Sequence, residues 1–271
     1  MAIGSLDQLI NATIHYPRVF GKDVITGEAA GIPHTPYLYG GITGAGAAPG
    51  GGLNGSTQSG AVAGAINPPS GVAGLTSYLT KWSMVHTGGI GHIWLIDRQW
   101  GNVPVVTTTG AQAITSPTWL ARDESGSTNG AGVLLALEAS VVTGNAGAIT
   151  NTTVSYTNSA GTAGRTATLS SYPATAIAGT WVPFSLAAGD TGVRSVQSIT
   201  LGTSYVSGAI HLMAFRLVAE IAVPLANTGY TANWTALNLP VVWDNSVLQL
   251  VYWPTSTSLG SVAGSLWFAQ G

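Results

Sequence analysis

An acidic and a basic residue stand four positions apart in one short stretch, AAGDTGVRSVQSITL, as Asp190 and Arg194. The chain has only eight Lys and Arg and ten Asp and Glu residues among 271, so charge is scarce. Asp190 has turn chemistry, because its carboxylate can accept nearby amide hydrogens while Gly192 adopts positive φ. Arg194 begins the next predicted strand with five donors to satisfy. We predict a structural ion pair between Asp190 and a partly buried Arg194, within the subunit or at a subunit contact.

Five other carboxylates could supply a general acid and base, as in glycoside hydrolysis: Asp97, Asp123, Glu124, Glu138 and Glu220. Almost any β-rich chain offers such a set, so the set alone is weak evidence. The RDESG stretch at 122–126 is typical of a solvated turn. Glu138 lies in an apolar run, where a buried carboxylate requires a partner such as an arginine from an adjacent strand. A structural ion pair is therefore favoured over a general acid at Glu138.

The sequence motifs for cofactor and metal binding are as weak as the evidence for a catalytic pair of carboxylates. Gly50, Gly52 and Gly55 match G-x-G-x-x-G, but no predicted strand precedes them and no predicted helix follows. The five histidines, at positions 15, 34, 86, 92 and 211, lack the spacing of a zinc site. The G-x-S-x-G elbow of serine hydrolases does not occur. We therefore expect no catalytic residue, no cofactor and no metal site, and hence no enzyme.

The low number of charged residues limits the kinds of partner that the protein can bind. Charged residues make up 7% of the chain, against about 25% in typical soluble domains. Surfaces with so little charge repel their own copies weakly, which favours an assembly subunit, with a secreted β-rich module as the alternative. A net charge of -2 without a basic run excludes a nucleic-acid partner. No apolar stretch reaches 18 residues, so no membrane partner is expected.

The beginning of the chain predicts a short amphipathic helix. Ser5 to Gln8 form a capping box, with Ser5 as N-cap and Gln8 at the third helical position. Within a helix over residues 6–13, one face would carry Leu6, Leu9, Ile10 and Ile14. A helix this short is marginal in water, so its apolar face must pack on its own domain or on a neighbour. We interpret these four residues as part of an assembly arm.

Residues 29–80 contain no charged side chain and are rich in Gly and Ala. Such a segment cannot bury enough side-chain surface to offset its backbone entropy when it stands alone. It is a flexible linker or, the interpretation favoured here, an extended arm ordered by other chains. We expect residues 1–60 to make few contacts with their own β domain. The predicted division is a helix and arm over 1–80 and a β-sandwich over 81–271.

From residue 90 onward the chain predicts many short strands. Stretches such as HIWLIDRQW, TTVSYTN and SVLQLVYW are rich in Val, Ile, Thr, Trp and Tyr, and Gly, Asn, Ser and Pro separate them. The TTVSYTNSAGTAGRTATL stretch has the pattern of a hairpin. AIHLMAFRLVAEIAV fits a central strand or a buried helix, and the strands around it favour the strand. The fold class predicted is an all-β, antiparallel, jelly-roll-like sandwich.

Two stretches carry a family resemblance: VSYTNSAGTAGRTATLS and WVPFSLAAGDTGVRSVQSITLGTS. They resemble a group of structural proteins of tailed bacteriophages, over about residues 90–271 and more loosely over the Gly-rich arm. The motifs are distinctive as strings but bring no known chemistry with them. The resemblance implies a virion component whose β-rich, jelly-roll-like domain is used in head decoration or in the neck and tail.

The function expected from these observations is structural. The favoured role is an outer capsid decoration or cement subunit, a homotrimer that binds the major capsid protein across capsomers. It would assemble in the host cytoplasm and reside in the virion. The alternative is a neck, tail or fibre component, with a host glycan as its possible ligand. The nine tryptophans lie mostly in predicted strands, and one or two exposed ones would favour the glycan alternative. A depolymerase is the third and weakest candidate.

Overall fold

The computed structural model describes residues 3–23, 29–256 and 260–271. It is nearly all β, with 42% strand and 3% helix, and its antiparallel sheets curl into a half-barrel behind a short N-terminal helix. The predicted all-β sandwich with an N-terminal helix is therefore confirmed. In the described part of the chain, the helices are too short for a transmembrane span.

Most elements are strands of modest length. The two helices are α1 (Leu6–Ile10) and α2 (Trp234–Leu237). The first eight strands are β1 (Thr13–Ile14), β2 (Arg18–Lys22), β3 (Ser56–Thr57), β4 (Ser77–His86), β5 (Gly91–Gly101), β6 (Ala111–Ala113), β7 (Val133–Val141) and β8 (Thr153–Asn158). The remaining eight are β9 (Arg165–Leu169), β10 (Trp181–Ser185), β11 (Val193–Thr200), β12 (Ala209–Val223), β13 (Gly229–Asn233), β14 (Val241–Val242), β15 (Leu248–Pro254) and β16 (Val262–Gln270).

The strands form two sheets. The six-stranded sheet has the order β1–β16–β4–β13, with β2 also on β16 and β14 also on β4. The ten-stranded sheet has the order β15–β5–β12–β7–β10–β9–β8–β11–β6, and β3 pairs with β5. The long apolar run 209–223 is thus the central strand β12, and the predicted hairpin is β8–β9.

The two largest hydrophobic cores share the long strands β5 and β12. The first core joins the six-stranded sheet to these strands and contains Trp82, Leu95 and Ile221. The second core fills the curled remainder of the ten-stranded sheet and contains Trp100 and Leu212. The two strands therefore connect the two halves of the molecule.

Irregular pairing between β5 and β12 lets both strands serve both cores. Leu217 pairs with Ile96 and Ala219 with Leu95, so β12 has one extra residue there. Before that point the even residues Leu212 and Ala214 enter the second core, and beyond it the odd residues Ile221 and Val223 enter the first core. Because side chains alternate along a strand, one bulged residue is enough to keep apolar side chains inward on both sides.

The N-terminal part of the chain packs on its own β domain, which corrects one expectation. Phe20 and Ile66 belong to the first core, and Tyr37 and Ala65 pack on Val247. The strands β1 and β2 pair with β16. The expectation of few contacts between residues 1–60 and the β domain is therefore wrong for the described residues. The division at residue 80 stays a prediction.

A buried lysine ties the Gly-rich segment to the sheet. Lys22 Nζ, at the end of β2, donates to the carbonyl oxygens of Tyr37, Tyr39 and Gly44 at 2.7–3.3 Å. Burial lowers the pKa of Lys22 to about 8, and the nearby Asp23 opposes that shift. Backbone carbonyl oxygens, instead of acidic side chains, thus accept the hydrogen bonds of the Lys22 ammonium group.

Candidate functional site

The predicted loop carboxylate, Asp190, lies in a dense cluster of hydrogen bonds. Its two oxygens accept from Tyr156 Oη at 2.5 Å, Asn158 Nδ2 at 2.7 Å and Arg165 Nε at 2.8 Å. The side chain is 5% exposed. The hydrogen bonds from Arg165, Tyr156 and Asn158 lower the pKa of Asp190 from 3.8 to about 2. We call Asp190, Tyr156, Asn158 and Arg165 the Asp190 cluster.

The partner predicted for Asp190 is wrong. Its ion pair is with Arg165 at 2.8 Å, and Arg194 is exposed. Val193 opens β11 with its side chain in the second core, and Arg194 is the extra residue between Val193 and Ser195 in the pairing with β8, where it is exposed. A signal for the true partner was present, because the hairpin β8–β9 places Arg165 directly opposite Tyr156.

A second group of charges lies inside the protein, on and around β5. The central charge cluster consists of Asp97, Arg98, Arg122, Glu138 and Arg216, all buried. Arg98 Nη1 lies 2.9 Å from Glu138 Oε2, and both side chains are 0% exposed. The Arg98 guanidinium also lies 4.9 Å from the centre of the Tyr37 ring. The predicted arginine partner of Glu138 is present, although β12 separates its strand from β7.

The other members of the central charge cluster are held mainly by backbone groups. Asp97 accepts from Ser246 Oγ and the Val247 amide, both at 2.9 Å, and lies 3.7 Å from Arg122. Arg122 donates to the carbonyl oxygens of Asn245, Gln58 and Arg98. These contacts join β5 to the loops at 58 and 245, so the cluster connects segments that are distant in sequence.

The RDESG stretch is not the solvated turn that its sequence suggests, because Asp123 is fully buried. Its carboxylate accepts from the amides of Ser125, Ser127, Gly130 and Ala131 and from the hydroxyls of both serines. Burial by itself would raise the pKa of Asp123, but the hydrogen bonds from Ser127, Ser125 and Ala131 outweigh it and lower the pKa. Asp123 therefore organises its own loop.

The remaining candidate groups are Glu220, Glu124 and the histidines. Glu220 pairs with His92 at 2.7 Å, and both side chains are about half exposed. Glu124 is exposed, and burial lowers the pKa of His34, His86 and His211. Residues 3–23, 29–256 and 260–271 contain no group of three or more His, Cys, Asp or Glu side chains that could hold a metal ion.

The predicted assembly residues lie on an exposed apolar surface. Leu9 is half buried and packs near Ile3 and Tyr78, while its three predicted companions point to solvent. The N-terminal apolar surface comprises Leu6 (56% exposed), Ile10 (67%), Ile14 (66%), Tyr16 (92%) and Val19 (57%). Five large apolar side chains are thus left in water within 14 residues.

Local sequence explains how this surface is built. Ser5 Oγ accepts from the Gln8 amide at 3.2 Å, which confirms the predicted N-cap, and Gln8 Oε1 accepts from the Gly4 amide. The helix is shorter than predicted, because Asn11 ends it and Thr13 begins a strand beside Gln270. The two-residue strand β1 then leaves Ile14 on the exposed side of the edge of the six-stranded sheet.

Comparison with known proteins gives little guidance. No family profile and no curated protein matches the chain. Two solved structures of the VP2 protein of infectious bursal disease virus show a distant similarity. One, a mutant VP2 in derived T=1 particles, has 11% identity and a TM-score of 0.20, with 95% of this chain and 78% of that chain covered. The other, a VP2 subviral particle, has 10% identity and a TM-score of 0.17, with 95% and 81% covered. Similarity at this level carries no argument about fold or function.

Proposed function

We propose that this protein is a structural, non-catalytic subunit of a bacteriophage virion and that the N-terminal apolar surface is its assembly contact. The observation that carries the proposal is the exposure of five large apolar side chains within residues 6–19. Burying a Leu, Ile or Val side chain contributes about 1.5–3 kcal/mol, so covering this surface would strongly favour association. The resemblance of residues 90–271 to phage structural proteins supports the same role.

The more specific role proposed is an outer capsid decoration or cement subunit. It would bind the major capsid protein across capsomers, as a homotrimer, in virions assembled in the host cytoplasm. The low charge of the chain supports close packing against copies and neighbours, because little charge must be desolvated at a contact. The internal placement of the central charge cluster supports it further, since that cluster removes five of the 18 charged residues from the surface.

Incorporation of variants into virions tests the assembly contact. Ile10→Gln with Ile14→Thr replaces two exposed apolar side chains and keeps a strand-forming residue in β1. We expect the variant to fold with an unchanged melting temperature and to be depleted from purified virions. The matched control is Val72→Thr with Leu225→Gln, which changes two apolar residues elsewhere that are 50% and 59% exposed. Normal incorporation of the Ile10 and Ile14 variant would contradict the proposal.

Cryo-electron microscopy of the same virions separates the two structural roles. Density for this subunit on the outside of the head, across capsomers, is the expected result. Density in the neck or tail would contradict the decoration role and support the alternative role. It would not contradict the proposal that the N-terminal apolar surface is the assembly contact.

A further inference from the structure

A groove between the two helices adjoins the N-terminal apolar surface at Leu6 but has a different chemical character. Its volume is about 510 Å³, within the range of small-molecule sites, and α1 and α2 form its sides. Leu6, Leu9 and Leu239 provide apolar lining, while Ser5, Tyr78 and Asn238 provide polar groups. Among the described residues that line it, none is charged.

The groove contains the most exposed tryptophan of the protein. Four of the nine tryptophans are fully buried, four are half buried, and Trp234 is 38% exposed. Trp234 is the first residue of α2, and the Asn233 side chain caps this helix by accepting from the Ala236 amide at 3.3 Å. Asn233 Oδ1 also accepts from Thr235 Oγ1 at 2.5 Å. The capped turn therefore fixes the backbone that presents Trp234.

The polar groups of the groove retain hydrogen-bonding capacity. Tyr78 Oη accepts from the Ile3 amide at 3.2 Å, and Ser5 Oγ accepts from the Gln8 amide, which leaves both hydroxyl hydrogens able to donate. Thr235 donates its hydrogen to Asn233, so its oxygen can accept. The Asn238 side-chain amide makes no hydrogen bond with the part of the chain that the structure describes, and it offers both donors and an acceptor.

Asn238 occupies its position through an uncommon backbone conformation. Its φ is 55°, and the next residue, Leu239, has a φ of 46°. Asn tolerates the left-handed region, but a branched apolar residue seldom adopts it. Backbone strain of this kind persists where the surrounding structure enforces it, often beside a ligand. Here the strained pair lies in the lining of the groove.

We infer that the groove between α1 and α2 binds a neutral saccharide, with Trp234 as the stacking platform. A sugar ring has an apolar face that can cover an aromatic ring and hydroxyls that both donate and accept. The groove offers one exposed indole beside uncharged donors and acceptors, which matches both properties. The described lining has no charged residue, which disfavours phosphorylated, sulfated or acidic sugars, whose charge would be left uncompensated.

An apolar protein segment fits the same groove less well. Its apolar side chains would cover the hydroxyls of Tyr78 and Ser5 and the amide of Asn238 without offering hydrogen-bond partners. Burying polar groups without partners is unfavourable. The saccharide inference does not depend on the proposed assembly role, because the assembly variants change Ile10 and Ile14 and neither residue lines the groove.

Saturation-transfer difference NMR on the full-length protein is the test. The probes are glucose, galactose, N-acetylglucosamine, maltose and cellobiose, with glucose 6-phosphate as a charged comparison. We expect at least one neutral sugar to bind and glucose 6-phosphate to bind more weakly than glucose. Trp234→Ala should weaken binding by about tenfold or more, through the loss of the stacking surface. Asn238→Gly keeps the left-handed backbone and removes the amide, so it should weaken binding about 2- to 10-fold.

The matched control is Trp267→Ala, which removes a half-buried tryptophan outside the groove and should leave binding unchanged. Absence of binding to all five neutral sugars by folded protein would overturn the inference. Equal binding by wild type and Trp234→Ala would also overturn it. Concentration-dependent self-association that Trp234→Ala abolishes, without sugar binding, would overturn it in favour of a protein ligand.

Discussion

The central charge cluster and the Asp190 cluster place scarce charges in different parts of the fold. The central cluster is fully internal, on and around β5, and it joins segments far apart in sequence. The Asp190 cluster joins the hairpin β8–β9 to the loop before β11, near the surface. The comparison indicates that the central charge cluster stabilises the contact between distant segments, whereas the Asp190 cluster stabilises only the loop before β11.

The largest expected effect concerns the central charge cluster. Glu138→Leu leaves the Arg98 guanidinium buried without its carboxylate, which costs about 3–5 kcal/mol of unfolding free energy. Arg98→Met combined with Glu138→Leu removes both charges and should recover most of that loss. Guanidinium chloride denaturation of the three proteins measures the difference. If Glu138→Leu lowers the unfolding free energy by less than about 1 kcal/mol, Arg98 has an alternative partner and the comparison fails.

A smaller effect is expected in the Asp190 cluster. Asp190→Asn removes the charge that Arg165 pairs with and should lower the melting temperature by a few degrees. Asp190→Ala with Arg165→Leu should recover part of the decrease. Arg194→Leu serves as the matched control, because Arg194 is exposed and unpaired with Asp190, and its melting temperature should equal that of wild type. If Arg194→Leu lowers the melting temperature as much as Asp190→Asn does, the result would support the Asp190–Arg194 pair predicted from the sequence.

The smallest effect is a dependence on acid pH. The pKa of Asp190 is lowered from 3.8 to about 2 in the folded protein, so the unfolded chain binds more protons between these values. The stabilisation by Asp190 is therefore complete above about pH 4 and is lost as the pH falls toward 2. The difference in melting temperature between wild type and Asp190→Asn should shrink over this range. A difference that stays constant down to pH 2 would show that hydrogen-bond geometry, and not charge, stabilises the loop.

Local patterns predicted local structure well. The capping box at Ser5, the hairpin that became β8–β9 and the strand around His211 all follow from residue types within a few positions. The predicted apolar helix face was only partly correct. Ile14 does not lie on the helix, because the helix ends at Ile10 and the strand β1 begins at Thr13.

The errors have a common cause in tertiary pairing. The partner of Asp190 depends on the register of a hairpin that begins more than 30 residues earlier. Asp123 can be buried because serine hydroxyls and backbone amides donate to its carboxylate. A turn pattern in the sequence does not show whether such donors or water will surround a carboxylate. The packing of the Gly-rich segment depends on Lys22, whose partners are backbone carbonyls and therefore have no side-chain signature.

The pairing of β2 with β16 has a consequence for synthesis of the protein. These strands lie about 240 residues apart, so β2 leaves the ribosome long before its partner exists. At about 5–20 residues per second, the delay is roughly 12–50 s. During that time the apolar residues near Ile14 and Val19 have no sheet to hold them in place. The surface proposed for assembly is therefore completed only after β16 has been made.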